Sequence, residues 1–358
     1  MASVLKPVDD TRMFEKIGVT LANIEGLEVT IIGYPSKGSP VFPGIKFDPL
    51  TSFNRISLKR LVAPWVIFNK INQVKPELVI INTPELLLVG ILNRIFFGRK
   101  IVYDVLENYY RNIRFTQTFP PVVRIILAPL VRFIELLSSP FIHHFLLAEK
   151  GYRQELGFAN PNTVLQNKLP ETTALKHTFR QPRGRSKLIF SGTLAKSTGV
   201  FEAISLCKKL YEVDKSYSLA IIGYCALPDV LTEIKNEIKD APFITLKGGD
   251  NLVPHEQILE EISSADVGII IYPPNPSTQT SIPTKLFEYM ALQLPVLIRH
   301  TAQSHQLVKE CHAGIILSET PDYTSLCTEI KSQHFSPLVP DSAYWESEAA
   351  GLINCLKL

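Results

Sequence analysis

Short continuous apolar runs alternate with longer amphipathic stretches along this chain of 358 residues. In the first half the runs are "EVTIIGY" (28–34), "ELVIIN" (77–82), "KIVYDV" (100–105) and "HFLLAE" (144–149). In the second half they are "SKLIFSG" (186–192), "YSLAIIGY" (217–224), "FITLKGG" (243–249), "DVGIIIYP" (266–273) and "LPVLIR" (294–299). Runs of this kind suit strands buried on both faces, and the helical stretches between them supply the crossovers of parallel βα units. Two such sets predict an α/β protein with two Rossmann-like lobes. The length agrees, since about 100–200 residues make an ordinary domain.

The polar segment "ETTALKHTFRQPRGRS" (171–186), with Pro182 and Gly184, reads as a linker. The expected domains are therefore residues 1–170 and 187–335, followed by a terminal segment, 336–358. Within that segment "DSAYWESEAAGLINCLKL" (341–358) predicts a helix capped by Asp341 or Ser342, and its Trp345 requires a packing surface.

Composition narrows the class. The chain is 46% hydrophobic and 20% charged, with no low-complexity tract, as in an ordinary globular protein. Its five cysteines, at 207, 225, 311, 327 and 355, form no C-x-x-C pair. An odd, scattered set fits reduced thiols in a cytoplasmic setting better than disulfides or a zinc cage. "MASVLKPVDDTR" lacks the apolar core of a signal peptide. Charges at Glu85, and at Arg124, Arg132 and Glu135, interrupt the most apolar stretches before they reach the roughly 18 residues of a spanning helix. Net charge is +3, but residues 1–170 hold 20 Lys/Arg against 13 Asp/Glu, while the remainder is acidic. A basic half without aromatic–basic repeats argues against nucleic acid and suits an anionic membrane surface or an acidic substrate.

The segment "SIPTKLFEYMALQLPVLI" (281–298) carries the most specific chemistry. Pro283 suits the first turn of a helix and Ser281 its N-cap, so a helix is expected from about residue 282. Leu286, Phe287, Met290, Ala291 and Leu294 form its sheet-facing stripe. Glu288 falls off that stripe, above Thr284 and Ser281. A helix start exposes unpaired N–H groups and suits phosphate, with Ser281, Thr284 and Lys285 adding hydroxyls and a cation. A carboxylate one turn deeper would repel phosphate but accept hydrogen bonds from a ribose diol, which suggests a nucleotide. The plainer reading is a half-exposed glutamate on a sheet-covering helix.

"PTKLFEYMALQLPVLI" resembles the donor-domain signature of GT-B glycosyltransferases, in the large retaining family that includes sucrose- and glycan-forming enzymes. "KLIFSGTLAKSTGVFEAISLCKKL" (187–210) resembles the strand, glycine loop and helix that open the donor lobe, and "VDDTRMFEKIGVTLAN" (8–23) its counterpart helix in the acceptor lobe. "KIVYDVLENYY" is similar to the acceptor-lobe segment that usually reads Tyr-Asp-x-His-Glu, and "YWESEAAGL" to the helix that returns to the first lobe. The resemblance implies two lobes with parallel sheets facing a central cleft, acceptor lobe first. It also implies a retaining hexosyltransferase of polysaccharide biosynthesis, moving sugar from a UDP- or GDP-linked donor to a glycan or lipid-linked acceptor. No separate cofactor is implied, and no metal, since Asp-x-Asp is absent. Glu288 would hold the ribose, while Gly192, Thr193, Lys196, Ser281, Thr284 and Lys285 would border the diphosphate. Asp104 and Glu107, at the carboxyl end of a strand, would orient the acceptor hydroxyl.

Several positions depart from the family pattern. Thr193 and Thr198 stand where an Arg and a Lys normally stabilise the leaving diphosphate, leaving that task to Lys196 and Lys285. Thr280 replaces the first of the paired glutamates, so Asn275, Ser277, Gln279 or loop amides would hold the sugar. Leu106 replaces the usual His. His255 caps or lines a loop, or else touches a base, and His143-His144 has no metal-spaced partner. These departures keep two rivals open: a catalytically silent relative serving as a scaffold in glycan assembly, and a sugar-nucleotide epimerase. No G-x-G-x-x-G follows any strand, which argues against NAD chemistry. Finally, residues 121–138 predict a helix with a narrow polar stripe of Arg124, Arg132 and Glu135, bent by Pro129. Such a helix either sits clamped in the core or dips into lipid headgroups, which adds peripheral attachment at the inner membrane face to the cytoplasmic expectation.

Overall fold

Each of the nine apolar runs forms a parallel strand, because enclosure on both faces rewards unbroken β-branched segments. A computed structural model describes the chain except for residues 37, 39, 54–56, 58, 117–118, 178–185, 333–338 and 357–358. The chain divides into two compact units, Met1–Asn167 with Trp345–Leu358, and Lys168–Tyr344. Residues 178–185 of the expected linker, with Pro182 and Gly184, and the expected boundary at 335/336 lie outside the described residues.

In the first unit, β1 (Ala2–Pro7), β2 (Val29–Tyr34), β3 (Ile45–Pro49), β4 (Leu78–Ile81), β5 (Lys100–Val105), β6 (His144–Leu147) and β7 (Asn162–Val164) form one sheet. Its order is β3-β2-β1-β4-β5-β6-β7. The helices are α1 (Val19–Ala22), α2 (Lys59–Val74), α3 (Leu87–Phe97), α4 (Tyr109–Phe115), α5 (Pro121–Ser138) and the single turn α6 (Tyr152–Glu155). A π-wound segment, Thr11–Gly18, precedes α1, so the opening helix is wound in two different ways. Asp10 starts it by accepting from the amides of Arg12 and Met13 at 3.1 and 3.0 Å.

The second unit begins with the short α7 (Glu171–Ala174), inside the segment expected to be linker. Six units follow in order: β8 (Lys187–Thr193), α8 (Val200–Val213), β9 (Ser218–Tyr224), α9 (Pro228–Ile238), β10 (Ile244–Gly249) and α10 (His255–Ser264), then β11 (Val267–Ile271), α11 (Thr284–Ala291), β12 (Val296–Arg299), α12 (Ala302–Glu310), β13 (Gly314–Ile316) and α13 (Tyr323–Ser332). The sheet order is β10-β9-β8-β11-β12-β13. Strand order therefore reverses between β8 and β11, which makes the carboxyl ends of these two strands the topological switch point.

Sequence periodicity misses β1, β3, β7 and β13. The last two are three-residue edge strands and β3 is an edge strand with Lys46 and Asp48, but β1 is central. Its run is cut by Ser3, Lys6 and Pro7, and it is buried through small residues rather than large ones. The terminal helix also starts later than expected. Asp341–Ala343 is a single 3₁₀ turn, Tyr344 is extended and pairs with Leu169, and α14 (Glu346–Leu356) follows. Trp345 lies in the core of the first unit with Ile17, Leu21 and Leu352, and its indole donates to Thr20 Oγ1 at 2.9 Å.

Candidate functional site

At the switch point of the second unit, two chain segments come very close. Gly199 ends the loop after β8 with φ +83, and a Cβ there would stand 1.5 Å from the carbonyl oxygen of Ile271, the last residue of β11. Only glycine allows that approach. The helix α11 is held against the same two strands. Tyr289 hydroxyl lies 2.9 Å from Ser191 Oγ and accepts from the Ser191 amide at 3.2 Å, and its ring lies where a Cβ on Gly268 would be.

Helix α11 begins at Thr284, with Pro283 at the cap position and no side-chain cap, which corrects the expected start. Ser281 does not cap it: its hydroxyl donates to Thr278 carbonyl at 3.0 Å, because residues 275–281 form their own turns. Asn275 Oδ1 similarly receives the Ser277 amide and hydroxyl, both at 2.8 Å. The first-turn amides of α11 thus receive no side-chain oxygen from the residue before them.

Lys285 is the most unusual group of the site. It is 7% exposed, and its Nζ has no hydrogen-bond partner among the described residues. The ammonium lies 3.8 Å from the centroid of Phe190 on β8 and 5.2 Å from that of Tyr272, just beyond β11. Aromatic faces attract a cation, but they do not replace its hydration. Burial therefore lowers the Lys285 pKa to about 7, against the opposing pull of Glu288. His300, just past β12, lies tilted against Tyr272 with centroids 4.6 Å apart, and burial lowers its pKa to about 4. One turn into α11, Glu288 is half-buried and accepts from His255 Nε2 at 2.9 Å.

The remaining expected phosphate neighbours are less aligned. Gly192 sits near the end of β8 with φ +100, and Thr193 beside it is exposed. Lys196 is exposed and forms a 2.6 Å ion pair with Glu233 of α9. Thr198 uses its hydroxyl on the carbonyls of Thr193 and Ala195, at 2.7 and 2.9 Å. Lys285, Thr284 and Glu288 share the start of α11, whereas Lys196 is engaged on α9.

In the first unit the two acceptor-side carboxylates have different surroundings. Asp104, at 2% exposure, receives Arg12 Nε at 2.9 Å and Nη2 at 2.6 Å, while Arg12 Nη1 donates to Leu165 carbonyl at 2.8 Å. Burial works against the Arg12 charge, yet Asp104 holds that guanidinium above its usual value. The Asp104 carboxylate is thus occupied by a structural fork. Glu107 is exposed and accepts from the Asn112 side-chain amide.

No motif or spacing singles out Tyr272, His300 and Phe190 in the sequence. The signal available for two of them was position: Tyr272 and His300 each directly follow a strand, at the carboxyl edge where open α/β sheets take ligands.

No protein-family model matches the sequence, and no curated protein matches it. Solved structures do. Sucrose-phosphate synthase from Thermosynechococcus elongatus is similar at 14% identity over 93% of this chain and 89% of that one, with a TM-score of 0.67. HepE from Anabaena, solved with UDP and glucose, is similar at 14% identity over 92% and 89%, with a TM-score of 0.57. A glycosyltransferase from Rickettsia africae is similar at 14% identity over 94% and 88%, with a TM-score of 0.56. The likeness is one of fold, and the chain has the GT-B fold of these glycosyltransferases.

Proposed function

We propose that the second unit binds a UDP- or GDP-linked sugar and that the protein transfers the sugar, with retention, to a glycan or lipid-linked acceptor. The observation that carries this reading is Lys285: a buried ammonium without a hydrogen-bond partner among the described residues, in the first turn of α11, over Phe190 of β8 and near Tyr272 just past β11. An anion there supplies the missing partner and gains from the helix dipole. Glu288 would take the ribose diol through the oxygen that His255 leaves unbonded, and Thr284 with the first amides of α11 would border the diphosphate. HepE, of like fold, carries UDP, which supports a nucleotide as the ligand. In this reaction the departing diphosphate takes the acceptor's proton, so charge stabilisation matters more than a side-chain base. Glu107, exposed beyond β5, would orient the acceptor hydroxyl; Asp104 supports the same loop through Arg12.

One observation favours a second reading, a catalytically silent relative acting as a scaffold. Lys196 is paired to Glu233, and Thr193 and Thr198 offer no charge, which leaves Lys285 as the cation of the proposed site without a carboxylate partner among the described residues. Titration calorimetry with UDP and GDP separates the two readings. The transferase binds one of them, and more weakly in Glu288→Ala; binding of neither nucleotide removes the enzyme proposal. Conversion of donor sugar without acceptor would point instead to an epimerase.

A further inference from the structure

Helix α5 is built inside out. Its inward side carries Arg124, Ala128, Arg132, Glu135 and Ser138, of which Ala128, Glu135 and Ser138 are buried. Arg132 pairs with Glu135 at 3.3 Å and donates to Asn108 Oδ1 at 2.7 Å, and Tyr103 hydroxyl donates to Glu135 at 3.2 Å. The polar stripe is thus consumed by the protein. The outward side is apolar: Val122 is 70% exposed, Ile126 65% and Phe133 56%. A surface helix of a globular protein ordinarily has the opposite arrangement.

The neighbours of α5 extend this face. Helix α3 packs beside α5 and α2 beside α3. Phe96 on α3 and Leu61 on α2 are each 70% exposed. Trp65 and Phe68 of α2 meet edge to face and Phe68 meets Phe97 of α3 at a tilt, both at centroid distances of 6.2 Å, joining the two helices. Eighteen of the twenty-four exposed large hydrophobic residues among those described lie on α2, α3 and α5. Such concentration exceeds the scattered apolarity of an ordinary surface.

Charge decides what covers it. The three helices hold six Lys/Arg and a single carboxylate, Glu135, which is buried. Arg60 and Lys70 pair with Glu85 and Asp48 from neighbouring segments, whereas Lys59 and Arg94 are exposed with no acidic partner among the described residues. A second copy would bring these same cations against each other. No helix among the described residues is long and apolar enough to cross a membrane. An apolar face with cations and no exposed carboxylate matches a surface that lies in the headgroup region of a negatively charged bilayer. We propose that α2, α3 and α5 form a docking face for an anionic lipid bilayer. The proposal is independent of the nucleotide site, which lies in the other unit.

The test is co-sedimentation of the full chain with vesicles of phosphatidylcholine alone and of phosphatidylcholine mixed with phosphatidylglycerol. The wild type should pellet with the mixed vesicles, less so as salt rises. The triple variant Val122→Glu, Ile126→Glu, Phe133→Glu should remain in the supernatant with an unchanged melting temperature, because all three side chains already face water. Lys59→Gln and Arg94→Gln should each weaken binding about fivefold. The proposal is overturned if the wild type pellets with neither vesicle, or equally with both. It is also overturned if the wild type is a lipid-free dimer that the triple variant dissociates, since the face would then belong to a second copy.

Discussion

His255 Nε2 donates to Glu288 Oε1 over 2.9 Å, joining the first residue of α10 to the second turn of α11. The imidazole aims the carboxylate while leaving Oε2 for a ligand. In the proposed site, Glu288→Ala should weaken UDP or GDP binding roughly ten- to a hundredfold, the range for losing hydrogen bonds to a charged group. His255→Phe removes only the aiming and should cost about fivefold or less. Equal losses in the two variants would mean that the histidine, too, contacts the nucleotide.

Lys285 should make binding depend on pH. Its folded pKa of about 7 lies far below the ordinary 10.5, so between these values the unfolded chain holds a proton that the folded chain has released. Folding stability from this group accordingly rises as pH rises from about 7 toward 10.5. Binding has the opposite sign, since an anionic diphosphate restores the ammonium. Calorimetry at pH 8 in buffers of different ionisation enthalpy should detect proton uptake on UDP or GDP binding, with affinity falling as pH increases. Lys285→Met should remove the uptake and the binding while preserving the fold, because the side chain already occupies an apolar setting. Binding without proton uptake would exclude Lys285 as the phosphate partner.

Lys196 can be tested through its partner. If its ammonium is recruited to the diphosphate, Glu233→Ala frees it and should tighten nucleotide binding by about two- to fivefold, the worth of an exposed pair. Lys196→Ala should then weaken binding. Neither variant should have an effect if Lys196 only bridges to α9, which would favour the silent relative.

Asp104 and Glu107 should separate stability from turnover. Asp104→Asn leaves the Arg12 guanidinium buried without its counter-charge and should cost about 3–5 kcal/mol in urea unfolding. Glu107→Gln, at an exposed site, should change stability by no more than about 0.5 kcal/mol. In the proposed transferase it should slow turnover on the order of tenfold by releasing the acceptor hydroxyl. An unchanged rate in Glu107→Gln would remove that residue from the acceptor site.

Gly199→Ala should disrupt the switch point specifically. The new methyl meets the Ile271 carbonyl in a backbone conformation that alanine disfavours. Nucleotide binding should be lost, while the near-ultraviolet signal of the Trp345 environment in the other unit stays intact.

Both sheets were legible because doubly covered strands require unbroken apolar runs, and nine runs met that requirement. The central β1 escaped because small residues such as Ala2 and Ser3 fill its place between β2 and β4, and smallness leaves no periodic trace. Glu288 is visible from helical spacing alone, whereas the cap is not: a serine three residues before Thr284 resembles an N-cap, but its hydroxyl turns back to Thr278. The burial of Lys285 was not readable locally. It arises where Phe190, inside β8, and Tyr272, just past the adjacent β11, flank one ammonium although they are far apart in sequence. For α5 the narrow polar stripe was visible, but only the partners Tyr103 and Asn108 reveal that it faces inward.

The packing of Trp345 and Leu352 beside Ile17 and Leu21 also has a consequence for biosynthesis. On a ribosome Ile17 and Leu21 are made long before Trp345 and Leu352, and must wait for them before their shared core is sealed. The second unit, whose strands and helices are contiguous, is free to finish while the first still lacks α14. Nascent chains stalled once Tyr344, but not Trp345, has left the ribosome exit tunnel should therefore show protease resistance in the later-made unit and a vulnerable, unsealed pit in the earlier one.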